Sequence, residues 1–149
     1  MDKLYLDDLH PGQSFSAGGA AVETGEIKAF AAKFDPQPFH LDEEAAAQSL
    51  FGGLVASGWH TAALTMRLLV DGGAPIAGGL IGAGGALTWP RPTRPGDVLS
   101  VSCEVMAVVP SRSRPDRGMV TVHVLTLNQH GETVQDATMR LLVPRRPTV

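Results

Sequence analysis

The chain has a single cysteine, Cys103, in 149 residues. An intramolecular disulfide and a cysteine-built metal cluster are therefore excluded. Cys103 reads as a small buried apolar residue of a strand. Long apolar runs are missing too. Gly, Thr, Arg and His break every apolar stretch well short of about 18 residues, so no transmembrane helix is expected. The opening MDKLYLDDLH has three acids, one lysine and no apolar run. That is not the pattern of a signal or transit peptide, and a cytoplasmic location is expected. Charge is sparse, at 18%, against a usual share of about a quarter. A partner subunit covering part of the surface would account for it. No basic excess exists: the net charge is −3, which argues against a nucleic-acid partner. There is no internal repeat or low-complexity tract.

What is present fits one domain over 1–149, with 44% hydrophobic residues to build a sizeable core. Residues 11–20 read as a turn and an opening strand. Thr24 caps a helix whose Ile27, Phe30, Ala31 and Phe34 form one apolar face. Pro36 ends it. The segment Asp35-Pro36-Gln37-Pro38-Phe39-His40 reads as a stiff extended loop. A short helix follows, with Asp42 as its cap and Glu43 and Glu44 at its positive end. That explains these acids better than metal ligation does.

The strongest helix is Ser57–Val70, with Ser57 as N-cap and Gly72 just past its end. Its apolar residues cover most of the circumference, and only Arg67 is charged, so it reads as buried. Strands follow at 80–89, 98–109, 119–127 and 132–143. In the second, Leu99, Val101, Cys103 and Val105 share one face. The second half thus reads as an antiparallel meander. A buried helix with a curled antiparallel sheet around it is an α+β fold.

Asp35 and His40 are the candidate chemistry. A carboxylate and an imidazole form a proton-moving pair near neutral pH. The helix C-terminus and burial beside Phe34 and Phe39 are expected to make Asp35 more basic. The same two residues also read as a turn carboxylate bonding its own backbone and a buried helix-entry histidine.

FDPQPFHLDEEAA, followed by FGGLVASGWHTAALTMRLLVD, resembles the MaoC-like dehydratases, which include the (R)-specific enoyl-CoA hydratases. Asp35, Pro38 and His40 match the family's Asp/Pro/His motif position for position. PRPTRPGDVLSVSCEV and NQHGETV resemble its later turn, strand and hairpin. The resemblance covers nearly the whole chain. It implies a hotdog fold, a long central helix wrapped by a curved antiparallel sheet, and a homodimer or higher homo-oligomer. It implies a role in fatty acid metabolism, hydrating 2-enoyl-CoA thioesters or, in reverse, dehydrating 3-hydroxyacyl-CoA. Asp35 and His40 would hold the water, and the Gly58 N–H would donate to the thioester carbonyl. Coenzyme A enters only as part of the substrate; no separate cofactor and no metal are implied.

The sequence departs from the family at two places. Ser57 stands where a His commonly precedes the helix-opening Gly. Met66 stands where a Ser often supports the catalytic Asp, with Thr65 adjacent and Thr61 one turn earlier. Phe39, Ser57 and Trp59 are further substrate-binding candidates. Trp59 and Met66 either narrow an acyl tunnel or belong to the core. Arg91, Arg94, Arg112, Arg114 and Arg117 lie on two turns; they read either as a solvated hairpin tip or, where the turns approach the same rim of the sheet, as partners for the phosphates of coenzyme A. His60 reads as a satisfied core histidine, and His123 and His130 as structural. Two other functions stay open: an acyl-CoA thioesterase, disfavoured because 57–70 holds no acid, and a non-catalytic acyl-thioester binding module.

Overall fold

The computed structural model describes residues 2–148; Met1 and Val149, the ends of the 1–149 domain reading, lie outside them. A 3-10 turn at Leu6–Asp8 precedes strand β1 (Ser14–Ala21). Helices α1 (Thr24–Phe34), α2 (Pro38–Leu41), α3 (Glu43–Ala47) and α4 (Gly58–Leu68) come next. Strands β2 (Ile81–Thr88), β3 (Val98–Pro110), β4 (Arg117–Leu127) and β5 (Thr133–Pro144) complete the chain. All five strands form one antiparallel sheet in the order β1-β3-β4-β5-β2. The meander is therefore only β3-β4-β5. β2 does not pair with β3, its neighbour in sequence, but crosses to the far edge beside β5. Helix α4 packs on the sheet against β1, β3 and β5.

The core follows from alternation. Leu99, Val101, Cys103 and Val105 of β3 are buried, as are Val120, Val122 and Val124 of β4. Each such side chain contributes roughly 1.5–3 kcal/mol through burial. Burial pushes the Cys103 thiol up to about 11, so it stays a protonated packing group.

Two local readings change. Thr24 is the first helical residue of α1, and Glu23 is its N-cap. Residues 38–41 are not extended but form the single turn α2. Pro38 sits at its first position, where the missing N–H costs nothing and the fixed φ suits a helix.

Helix α4 is the larger correction. Its buried side is His60, Thr61, Thr65 and Leu68. Trp59 (60% exposed), Met66 (37%) and, past the helix end, Val70 (53%) face outward. The polar side can be buried because hydroxyl pairs satisfy it. Thr61 donates to Thr93 at 2.8 Å, and Thr65 pairs with Thr126 at 2.7 Å. Beyond Leu68 the chain makes a π-type turn, Leu69–Gly73, closed by Ala74 N–H to the Leu69 carbonyl at 2.9 Å. Gly72 adopts φ 146° there, a backbone that favours glycine.

Candidate active site

Asp35 caps the C-terminus of α1, its N–H bonding the Ala31 carbonyl at 2.8 Å. Two prolines later, α2 carries His40, which is 5% exposed. Its Nδ1 lies 2.7 Å from the Val55 carbonyl oxygen. A carbonyl only accepts, so Nδ1 carries the proton and the neutral ring keeps its lone pair on Nε2. That Nε2 faces Asp35 Oδ2 at 3.2 Å. Lone pair and carboxylate then face each other with no proton between them, an arrangement built to receive a hydrogen-bond donor.

The Asp35 carboxylate does not bond its own backbone. Gln37 Nε2 donates to Oδ1 at 2.5 Å, and the Ser57 hydroxyl donates as well. Desolvation pushes its pKa up, but the hydrogen bonds from Ser57 and Gln37, with His40 beside them, outweigh that and lower it. This reverses the expectation of a more basic Asp35. Phe34 is 64% exposed and does not bury it, and the donors stabilise the ionised form.

Ser57, fully buried, sits at the start of α4. Its Oγ accepts from the Trp59 N–H at 3.2 Å. Its carbonyl accepts from His60 and Thr61 at 2.9 and 3.1 Å. The Gly58 N–H is left as the donor of the first turn with no acceptor among the described residues. It stands at the positive end of an 11-residue helix, where developing negative charge is stabilised.

Asp35, His40, Phe39, Gly58, Trp59 and Thr61 line one cavity of about 550 Å³. Trp89 and Arg91 line it as well. Phe39 packs edge-on to the His40 ring at 4.6 Å. The site residues named from sequence on α1, α2 and α4 are thus brought together. Met66 is not in this cavity; it lies on the outer side of α4. The serine that supports Asp35 is Ser57, nine residues earlier.

The arginines separate. Arg91 lines the cavity and pairs with Glu132 at 3.1 Å. Arg94 donates to the Phe51 carbonyl at 2.8 Å. Both also line an adjoining 310 Å³ cleft against the β4–β5 turn. Arg112 and Arg114 sit on the β3–β4 hairpin. The 13 residues of β3, at about 3.3 Å each, put that hairpin roughly 40 Å along the strand. The two arginine turns do not share a rim.

His60 is buried and stacked on Phe30 at 4.9 Å, but its Nδ1 has no partner among the described residues. It is a core histidine, though not a satisfied one, and burial lowers its pKa. His123 pairs with Asp136 at 2.8 Å across β4 and β5. Asp42 caps α3 through the Glu44 N–H, and Glu43 pairs with Lys28. Sequence reasoning missed Gln37, the Val55 carbonyl and Trp89. Gln37 lay inside the motif; the other two reach the site through chain crossings that no local pattern reports.

A MaoC like domain model matches residues 8–128. The Bacillus subtilis protein YdeM, itself uncharacterised, is 34% identical over 95% of this chain and 100% of its own. A 3-hydroxybutyryl-CoA dehydratase of Methylorubrum extorquens is 32% identical over 74% of this chain and 69% of its own. Among solved structures, a MaoC-like dehydratase from Rhodospirillum rubrum superposes with TM-score 0.95 at 61% identity, covering 97% of this chain and 99% of that one. The R-hydratase PhaJ1 of Pseudomonas aeruginosa gives 0.76 at 27% identity, covering 97% and 88%. The chain belongs to the MaoC-like dehydratase family: it is a hydro-lyase of the hotdog fold.

Proposed function

We propose that the chain adds water to short 2-enoyl-CoA thioesters, or removes it from the corresponding 3-hydroxyacyl-CoA, with Asp35 and His40 as the proton-moving pair. One observation carries this reading. Two acceptors 3.2 Å apart, Asp35 Oδ2 and His40 Nε2, share a cavity with the unpaired Gly58 N–H. A water about 2.8 Å from each acceptor donates one hydrogen to each. Its lone pair is then turned into the cavity, toward C3 of a bound enoyl thioester.

Attack forms the C3–O bond and moves the double-bond electrons onto the thioester oxygen as an enolate. The Gly58 N–H and the α4 dipole stabilise that charge where it develops. The water's proton passes to the dyad, and a dyad proton then goes to C2, restoring the carbonyl. His40 Nε2 is the acceptor best prepared for the first transfer, because Val55 fixes the tautomer and the lowered pKa of Asp35 leaves its carboxylate the weaker base.

Arg91 and Arg94 line the cleft adjoining the cavity, where a coenzyme A phosphate would find guanidinium donors. The 3-hydroxybutyryl-CoA dehydratase relative favours a four-carbon acyl group. Thioester hydrolysis is the weaker reading, since α4 offers no carboxylate to activate water at the carbonyl carbon. The binding-module reading is not favoured by the departure at Met66, because Ser57 supplies the hydrogen bond to Asp35 instead.

A second copy of the chain completes the molecule in this reading. The outer side of α4 and the free edge strand β2, whose Ile81 is 50% exposed, form an apolar surface of the kind that marks an interface. A self-paired edge closes a two-fold dimer.

The test is a spectroscopic assay on trans-2-enoyl-CoA thioesters. Loss of the conjugated absorbance without free thiol supports hydration. Free thiol instead points to hydrolysis, and neither signal, with binding intact, points to a binding module.

A further inference from the structure

The chain's two tryptophans, Trp59 and Trp89, meet edge to face with ring centroids 5.2 Å apart and planes at 87°. They are the two residues common to the catalytic cavity and to a second space of about 720 Å³. That second space is lined by Gly82, Gly84, Gly85 and Ala86 of β2 with Leu87 and Met139. No charged side chain lines it, and its only polar side-chain groups are the two indole N–H groups.

Trp89 is not free to swing. Its indole Nε1 donates to Gln135 Oε1 at 2.9 Å. Gln135 is 3% exposed, so losing that bond would strand a buried polar group. The indole plane also lies directly on Gly58. A Cβ built there would fall 2.6–2.7 Å from three indole atoms. Gly58 is thus required twice, once to let substrate reach its N–H and once to seat the indole.

Arg91 is shared by the catalytic cavity and the polar cleft that adjoins it, whereas the tryptophan pair is shared by the catalytic cavity and the second space. With the phosphates drawn to the arginine side, an acyl tail running on from C3 meets the tryptophans. We infer that Trp89, locked by Gln135 and braced by Trp59, is the wall that sets acyl-chain length in this enzyme, closing an apolar space that would otherwise continue the acyl pocket. The inference rests on the enoyl-thioester reading above. It makes Trp89 a specificity-determining residue and the substrate class short 2-enoyl thioesters.

Because both tryptophans are in the wall, the chain's tryptophan emission reports on nothing else. The experiment has two parts. Butyryl-CoA and octanoyl-CoA, which cannot be hydrated, are titrated into wild type, Trp89→Leu and Trp59→Ala, with fluorescence quenching as the readout for each protein that keeps a tryptophan. Crotonyl-CoA and trans-2-octenoyl-CoA are then assayed for kcat and KM on the same proteins. Trp59→Ala changes an exposed residue and serves as the second variant should Trp89→Leu fail to fold.

A single excluded methylene changes discrimination by about 10–200-fold. Wild type should therefore prefer the four-carbon ligands by at least about tenfold in both parts. Either variant should shrink that ratio by a similar factor, chiefly through better use of the eight-carbon ligands. Equal handling of both lengths by wild type overturns the inference, as does an unchanged ratio in both variants. If no enoyl thioester is hydrated but butyryl-CoA still binds more tightly than octanoyl-CoA, the reaction reading fails while the wall stands.

Discussion

Replacing Ser57 separates two jobs held by one hydroxyl. Its oxygen caps α4 through the Trp59 N–H, and its proton goes to Asp35. Ser57→Ala removes both. Losing an N-cap serine to alanine costs about 1 kcal/mol, whereas glycine at the same position gives up only a few tenths. A hydrogen bond to a charged group contributes about 1.5–3 kcal/mol. The lower end applies here, because Gln37 and His40 still face the carboxylate. Ser57→Ala should thus lose about 2.5 kcal/mol near neutral pH, and Ser57→Gly about 1.8. At about 2–4 °C per kcal/mol for a chain of this size, Ser57→Ala should melt roughly 5–10 °C lower.

The pH dependence gives the sign. Asp35 has a lowered pKa in the fold. Its contribution is present above the unfolded value of about 3.9 and fades as pH falls through the folded value. The gap between wild type and Ser57→Gly should therefore be full at neutral pH and close in acid, as the carboxylate protonates in both proteins. Melting curves by circular dichroism between pH 3 and 8 measure it. A Ser57→Gly protein as stable as wild type at pH 7, or a gap that persists undiminished in acid, refutes the shared role.

Other expectations follow from the same structure. Gly58→Ala places a Cβ 2.6 Å from the Trp89 ring, an overpacking cost of about 1–3 kcal/mol. It should also raise KM and lower kcat on crotonyl-CoA, and unaltered kinetics would remove Gly58 from the site. Thr65 uses its one proton on the Thr61 carbonyl at 2.8 Å, so Thr126 is the donor in their pair. Thr65→Val orphans the Thr126 hydroxyl and should cost about 1–3 kcal/mol; Thr126→Val should cost about 1 or less. Equal losses in denaturant melts would contradict that assignment. Met66→Lys, on the outer side of α4, should shift the protein toward monomer in sedimentation velocity, whereas a wild type already monomeric at micromolar concentration contradicts the dimer reading.

The strands were legible because alternation is local: 99, 101, 103 and 105 declare one face without any knowledge of their neighbours. The place of β2 was not, because strand order is decided by pairing across the sheet. For α4 the apolar periodicity was read correctly and its burial wrongly. Hydrophobicity says that a surface is to be covered, not by which chain, and the burial of Thr61 and Thr65 had no local signal because their partners, Thr93 and Thr126, lie 32 and 61 residues away.

The Asp35–His40 pair was visible as spacing, and the family resemblance named its chemistry. The pKa of Asp35 went the other way because Ser57 reaches it from the far side of a 22-residue excursion. The arginine-rich hairpin suggested a phosphate rim, yet β3 is long enough to carry Arg112 and Arg114 to its other end. Trp89 had no local signature at all. It became a site residue only when the end of β2 was seated on Gly58.

The most direct test of the central claim compares wild type, Asp35→Asn and His40→Asn on crotonyl-CoA, with butyryl-CoA binding and melting temperature measured alongside. A general acid–base group contributes about 10²–10⁴-fold. Wild type should remove the enoyl absorbance without releasing thiol. Each variant should fall by at least about a hundredfold in kcat while remaining folded and still binding butyryl-CoA. Either variant turning over crotonyl-CoA at the wild-type rate would contradict the account.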